Sequence, residues 1–494
     1  MSLLCQRLGA CTAQMLFQTA EYGIFLALAF VGFWALARLK VARVIFLLVA
    51  SYIFYAASNP WFLTLIFAST VTDFVAGKQM KKADVPGGEK RRKAWLIVSL
   101  TMNLGLLGVF KYANFFYSSA VEVANVFGAE LLFERLAIML PAGISFYTFQ
   151  TMSYSIDVYR RRMEPESNFL RFALFVGYFP QLIAGPIVRA VDFVPQLSQT
   201  PILTRKQVSR ALYLIGIGLF KKVLFADTLG LNLVDPVFNS PEQYTAFEAL
   251  IALYAYTMQV YLDFSAYSDI AIGSALLFGF KLPDNFDRPY MAVSIQDFWR
   301  RWHKTLGSWL RDYLYYPLGG SRHGSLRTYY NLFITFVLIG LWHGADWTFV
   351  VYGCLHALAM CLNRWWRVDV HKRQVIVPSR WGLIWRVALT LHFVVLCRIL
   401  FRCQDFAEVG AFNDTLLLGA PEGSAWYDIQ SEPWLLGLLL VCFVVHWTPR
   451  KWMYAIRDRL EALPLPGQAL LFATVVFGVM ANMEIAVPFI YFRF

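Results

Sequence analysis

Charge is scarce in this chain. Asp, Glu, Lys and Arg make up 15% of its 494 residues, where a soluble domain carries about a quarter. That excludes an ordinary soluble fold, and 58% hydrophobic residues with a mean hydropathy of +0.50 point to a membrane. Paired cysteines are missing as well. The seven are scattered, mostly in apolar segments (Cys354, Cys361, Cys397, Cys442), and no C-x-x-C occurs. Neither a disulfide framework nor a zinc site follows from them. A cleavable signal sequence is lacking: residues 1–14 hold no long apolar core, and the stretch from Met15 reads as the more natural beginning. No internal repeat is visible, which weighs against transporter folds built from two similar halves.

Apolar sequence is abundant. Stretches approaching spanning length run from 22–38 to 468–490. Several are short or broken, so they predict an all-α polytopic membrane protein with about eleven transmembrane helices plus re-entrant or interfacial ones. Two of the stretches, 246–262 and 267–281, flank a polar cluster that holds Asp263 and Asp269. Those carboxylates stand either in an interfacial turn or in a cavity. The net charge of +12 would suggest nucleic acid in a soluble protein. Here Lys and Arg mark cytoplasmic loops facing an anionic leaflet, with a minor share left for a phosphate-bearing substrate. The basic loop 78–93 and the stretch 364–386 are placed inside on that ground. The acidic stretch 403–433 is placed outside, and 450–459 returns inside. Residues 282–328 form the longest central stretch without a span. They lie at the cytoplasmic interface or dip into the protein.

Two histidines interrupt this pattern. His343 sits in W-H-G-A-D-W (342–347), inside the mostly apolar run 331–366. Ionisable groups at membrane depth are costly and rare, which makes it a functional candidate. Residues 329–341 give roughly 20 Å of helix. Gly340 and Gly344 bracket the histidine, Asp346 closes the break, and a second apolar helix runs over 347–366. A hairpin or re-entrant arrangement puts His343 deep and reachable from the cytoplasm. A turn at the far surface with an ordinary histidine is the competing reading. Residues 295–313 predict one amphipathic helix. Its apolar stripe contains Phe298, Trp299, Trp302 and Leu306, and Arg300, Arg301 and Lys304 lie opposite. Asp297 is spaced to pair with Arg301, and His303 lies at the border of the stripe. An interfacial helix with an incidental histidine explains this pattern as well as a site does. A buried neutral imidazole suits a general base, and two could divide proton transfer from orientation. Trp302 and Trp342, each just before a histidine, either wall off water or simply pack. A metal site from His303, His343 and His356 matches no ligand spacing, and none is assigned.

Five stretches together resemble the membrane-bound O-acyltransferase superfamily, most closely the bacterial branch typified by the membrane subunit of alginate O-acetylation. They are F-P-Q-L-I-A-G-P-I-V-R (179–189), D-F-S-A-Y-S-D-I-A-I-G (263–273), N-F-D-R-P-Y (285–290), D-F-W-R-R-W-H-K-T-L-G-S-W-L-R-D-Y-L-Y-Y-P-L-G-G (297–320) and G-L-W-H-G-A-D-W (340–347). The ending P-F-I-Y-F-R-F (488–494) and the start from Met15 are similar too, so the likeness covers nearly the whole chain after Met15. It implies a single multi-pass domain over 1–494 in the inner membrane, bundled around a central funnel or tunnel. It implies that His343 is the catalytic base and His303 the second polar group of the site. The implied donor is a cytoplasmic acyl thioester, acetyl-CoA in this branch, with a hydroxyl acceptor from the other side and no metal. Arg300, Arg301 and Lys304 become candidate partners for the CoA phosphates, and Trp302 and Trp342 join them in the donor site. Positive-inside bias alone would also produce such a basic mouth. The implied partners are a periplasmic SGNH-type acetyltransferase or other acceptor protein, the polysaccharide export and synthase machinery, and membrane lipid, with no nucleic acid. D-alanyl or other acyl transfer to a cell-envelope polymer is a close alternative. A proton-coupled transporter and an assembly subunit are further ones.

Overall fold

Every regular element among the described residues of the computed structural model is a helix. Those residues are 15–129, 136–183, 185–372, 379–419, 432–483 and 486–493. Residues 1–14, read above as extra N-terminal sequence, lie outside them, as do 420–431 of the acidic stretch. An all-helical chain is what a bilayer demands, since a helix satisfies its own backbone groups. The chain divides into two compact units, Met1–Ala211 with Ile270–Pro283, and Leu212–Asp269 with Asp284–Phe494.

In the first unit, Thr19 caps the helix Ala20–Ala35 and Asn168 caps Phe169–Gly177, each side chain accepting a backbone N–H of the first turn. Aromatic rings fill its interior: Phe25 meets Phe179 edge-on at 5.0 Å, and Phe33 meets Phe278 at 5.3 Å. A carboxylate is buried here with no cation beside it among the described residues. Asp73, on Phe62–Lys82, instead accepts from Asn103 at 2.8 Å and Ser155 at 3.0 Å, and from Ser99. The outward face of Ala20–Ala35 is apolar, with Ile24, Leu28 and Val31 exposed. Helices apolar on both inner and outer faces belong in lipid.

The second unit carries both histidine motifs. The helix Gly324–His343 packs antiparallel on Trp347–Arg364. Gly340 and Gly353 permit the close approach. A Cβ on Gly340 would lie 2.2 Å from the Phe349 carbonyl oxygen, and one on Gly353 would lie 2.7 Å from that of Phe336. Asp346 starts the return helix by accepting the Thr348 N–H at 2.8 Å. The hairpin expected over 329–366 is therefore present, and its first helix begins five residues earlier than expected.

Two stretches depart from the sequence expectation. Residues 246–262 and 267–281 are not two spans around a turn: Ala246–Leu277 is one helix of 32 residues, with Asp263 and Asp269 inside it. Both carboxylates are matched by lysines on the π-helical segment Lys221–Asp227. Lys222 is buried between Asp263 at 2.7 Å and Asp227 at 2.8 Å, and Lys221 reaches Asp269 at 2.6 Å. A buried charge so paired no longer forces a break. The second stretch, 295–313, is two short helices, Ile295–Arg301 and Lys304–Leu310, broken at Trp302 and His303. Gly319 and Gly320, with φ of 110° and 58°, follow this segment in the left-handed region that glycine tolerates.

Three helices among the described residues are long and apolar enough to cross a membrane: Glu89–Val126, Arg380–Arg402 and Leu465–Asn482. A fourth follows if Pro433–Trp447 and Arg450–Ala462, bent by 94°, form one broken span. Arg450–Ala462 has no buried residue, the habit of a helix lying along the interface.

Candidate functional site

His303 owes its position to a backbone break. Its φ is +42°, in the left-handed region that residues with a Cβ rarely occupy. Asn285 holds it there. The Asn285 carbonyl oxygen of the backbone accepts the Lys304 N–H at 2.9 Å. The Asn285 side-chain Oδ1 accepts from Thr305 Oγ1 at 2.9 Å and the Thr305 N–H at 3.3 Å, and it faces His303 Nδ1 at 3.1 Å. Since Thr305 N–H can only donate, the atom it meets is the amide oxygen. The His303 proton then belongs on Nδ1, and Nε2 carries the lone pair. The ring is fully buried, edge-on to Phe264 at 4.7 Å and 5.6 Å from Trp342.

His343 is the last residue of its helix and is 2% exposed. Its ring meets Trp342 at 5.2 Å, Phe401 at 5.2 Å, Tyr491 at 5.6 Å and Tyr352 at 6.2 Å. Trp342 thus touches both histidine rings. Tyr491 comes from the 3₁₀ turn Ile490–Arg493. That turn is tied down where the Ile490 N–H donates to Asp263 at 2.7 Å. The D-F-S-A-Y-S-D stretch therefore serves the site by charge and by packing, with Asp263 anchoring the turn and Phe264 walling His303.

A cavity of about 810 Å³ lies against the helix that ends in His343 and against the broken segment on either side of His303. Its apolar wall is one stripe of the helix Gly324–His343, formed by Leu332, Thr335, Phe336 and Ile339. His343 lies four residues beyond Ile339, the next position on the same face. The opposite helix adds Met360, Asn363, Arg364 and Arg367, and the broken segment adds Trp299, Arg300, Lys304 and Arg311. Five cations, Arg300, Lys304, Arg311, Arg364 and Arg367, thus line the cavity. Trp299 also donates its indole N–H to His356 Nδ1 at 3.2 Å, so His356 is held beneath the cavity.

The residues singled out from the sequence separate into two groups. His303, His343, Trp302 and Trp342 belong to one buried aromatic cluster. Phe286 bridges Trp302 and His303, at 5.2 Å and 6.4 Å. Arg300 and Lys304 line the cavity, and Arg301 does not. Arg301 pairs with Asp297 at 3.0 Å, as its spacing predicts, and reaches the Asp287 carbonyl oxygen at 3.5 Å. Asp287 itself lies in the loop before the motif, outside the spans. Burial opposes its charge, but Arg450, with Arg301 and Arg288 nearby, outweighs that and holds its carboxyl below the ordinary range. Among the described residues no cluster of His, Cys, Asp and Glu is arranged to hold a metal ion.

Residues 62–403 match the profile of MBOAT, the membrane-bound O-acyltransferase family. The chain belongs to that family. It is accordingly an acyltransferase. The probable alginate O-acetylase AlgI of Azotobacter vinelandii is 42% identical over 401 residues, 80% of this chain and 77% of the relative. That of Pseudomonas aeruginosa is 40% identical over 391 residues, covering 79% and 72%. The peptidoglycan O-acetyltransferase of Helicobacter pylori is 36% identical over 410 residues, covering 77% and 75%.

Several residues of this acyltransferase escaped the sequence reading. Asn285 was only part of a motif, Arg364 and Arg367 counted only toward topology, and Arg398 carried no mark at all. Arg398 is on Arg380–Arg402 and lies 4.8 Å from the Trp302 ring and 5.0 Å from that of Phe401. The signal that would have found Arg364 and Arg367 is their helical spacing with Met360, which aligns them on one face.

Proposed function

We propose that this chain is a multi-pass inner-membrane O-acetyltransferase subunit. It takes acetyl groups from cytoplasmic acetyl-CoA and supplies them across the membrane for O-acetylation of an exported polysaccharide. The names of the relatives favour alginate or another envelope polymer. The observation that carries this reading is a cation-lined cavity whose apolar wall is a stripe of the helix that ends in His343. Its cations fit the phosphates of a polyanionic donor, and its apolar stripe continues along the helix toward a buried imidazole.

In this reading Arg300, Lys304, Arg364 and Arg367 receive the donor phosphates. His343 takes the proton of the acceptor hydroxyl as that oxygen attacks the thioester carbon. His303, its Nδ1 proton committed to Asn285, orients the reacting group from the other side of Trp342. Trp302 and Trp342 keep water from the thioester, whose hydrolysis would waste it. The acetyl group passes to a periplasmic acceptor, an SGNH-type acetyltransferase that works beside the polymer's synthase and export machinery.

The test is transfer of label from acetyl-CoA into polymer or acceptor protein, in membranes holding equal amounts of wild type and His343→Ala. Loss of transfer by at least about a hundredfold is expected for removal of a general base. Unchanged transfer sinks the assignment. Movement of acetyl-CoA or polymer across the bilayer without acyl transfer would identify a transporter instead.

A further inference from the structure

Arg398 is the least expected residue in the second unit. Its side chain is 1% exposed, on a helix long and apolar enough to span. A guanidinium stays charged at any depth. Buried cations in proteins stand against carboxylates. Among the described residues Arg398 pairs with none. No carboxylate meets its Nε, Nη1 or Nη2, and the polar group that stands against them is the neutral hydroxyl of Tyr290, short of full hydrogen-bond geometry. Its company is aromatic: the rings of Trp302 and Phe401 face it, and the hydroxyls of Tyr352, Tyr290, Tyr491 and Tyr256 are near enough to interact with its charge. Two ring faces return less than removal of the guanidinium from water costs. The site thus keeps a positive charge without a resident anion.

The place of that charge is informative. Phe401 lies 5.0 Å from the Arg398 guanidinium carbon and 5.2 Å from the His343 ring. Tyr352 and Tyr491 border the His343 ring, and both interact electrostatically with Arg398. Arg398 and His343 therefore stand within about 10 Å of each other across shared rings. An acceptor oxygen, a carbonyl carbon and an oxyanion, flanked by two hydrogen bonds, span roughly 8 Å between nitrogen atoms.

Resting on the function proposed above, we infer that Arg398 receives the negative charge that forms on the thioester carbonyl oxygen during acyl transfer. The acceptor hydroxyl oxygen bonds to the carbonyl carbon, its proton goes to His343, and the carbonyl oxygen becomes an oxyanion held by Arg398. Collapse restores the C=O bond and breaks the C–S bond, and the imidazolium returns its proton to the departing CoA thiolate. Trp302, stacked on Arg398 and adjacent to His303, holds the guanidinium in position.

The experiment compares acetyl transfer by wild type, Arg398→Gln, Arg398→Lys and His343→Ala in membranes normalised for folded protein. Arg398→Gln is expected to lose about a hundredfold or more in kcat, the scale of one oxyanion donor, with the KM for acetyl-CoA within about threefold. Arg398→Lys, keeping charge without the planar fork, falls between the two. A second measurement uses the wild type alone and does not depend on the variants folding. An anionic, tetrahedral phosphonate analogue of acetyl-CoA is expected to bind at least about tenfold tighter than the neutral ketone analogue. Transfer by Arg398→Gln within about threefold of wild type, a loss confined to KM, or equal affinity for the two analogues overturns the inference while the proposed function stands. Full activity of His343→Ala overturns the function itself, and this inference with it.

Discussion

Asn285 decides the orientation of His303 through a single amide oxygen that serves the histidine ring, one hydroxyl and one backbone N–H. Asn285→Ala removes all three acceptances and leaves Thr305 buried without its partner, a cost of about 1–3 kcal/mol. The larger effect is on geometry. Acetyl transfer is expected to drop about tenfold to a hundredfold, since a misplacement of about 1 Å is felt on that scale. Rates and melting temperature measured on one preparation separate the two effects. At this scale the sequence is uneven as a guide. His343 stands out because an apolar run makes any ionisable residue conspicuous. Asn285 does not, because a loop asparagine between Asp284 and Phe286 looks like ordinary turn chemistry, and its importance lies in partners 18 and 20 residues away. Arg398 hides for the opposite reason. A cation four residues before Arg402, at the end of a span, resembles a surface anchor until its burial is seen.

The hairpin that ends in His343 depends on two helices meeting without side chains between them. Gly340→Leu forces its new Cβ against the Phe349 carbonyl. It is expected to destabilise the protein by about 1–3 kcal/mol and to displace His343 from its aromatic neighbours. Gly437→Ala is the matched control. A Cβ at Gly437 meets nothing within 4 Å, so helix propensity should make that change neutral or stabilising by about 0.5–1 kcal/mol. Thermal unfolding in detergent checks both. The break between the two helices is legible at the level of elements, because Gly340, Gly344 and Asp346 punctuate an otherwise uniform run. The long helix Ala246–Leu277 was not. Its carboxylates read as a break because the lysines that neutralise them come from a segment more than 40 residues earlier. The break at His303 was hidden inside a good helical period, which a single left-handed residue interrupts without changing the pattern of apolar side chains.

Across the whole molecule, the excess of +12 is not merely a topological label. Part of it gathers at the cavity, where it raises the local concentration of a polyanion. Lys304→Gln and Arg364→Gln are each expected to raise the KM for acetyl-CoA several-fold with kcat nearly unchanged, the signature of lost uniform binding. Arg301→Gln should move KM much less, since Arg301 is engaged with Asp297 and lies off the cavity. In wild type the KM should also climb as salt is raised through the range where screening falls below about 10 Å. Both charge-removing variants should show a shallower climb. Steady-state assays at three salt concentrations test the set.

A left-handed backbone at residue 303 makes histidine a poor choice there for stability. Any side chain with a Cβ costs about 1–2 kcal/mol in that conformation, and glycine costs almost nothing. His303→Gly is therefore expected to melt above His303→Ala, by about 1 kcal/mol at the midpoint, although neither should transfer acetyl groups efficiently. Selection for heat resistance alone would drive this position toward glycine. The chain instead keeps an imidazole in a conformation that works against it, which makes position 303 a direct reading of how much robustness this molecule surrenders to hold one ring in place.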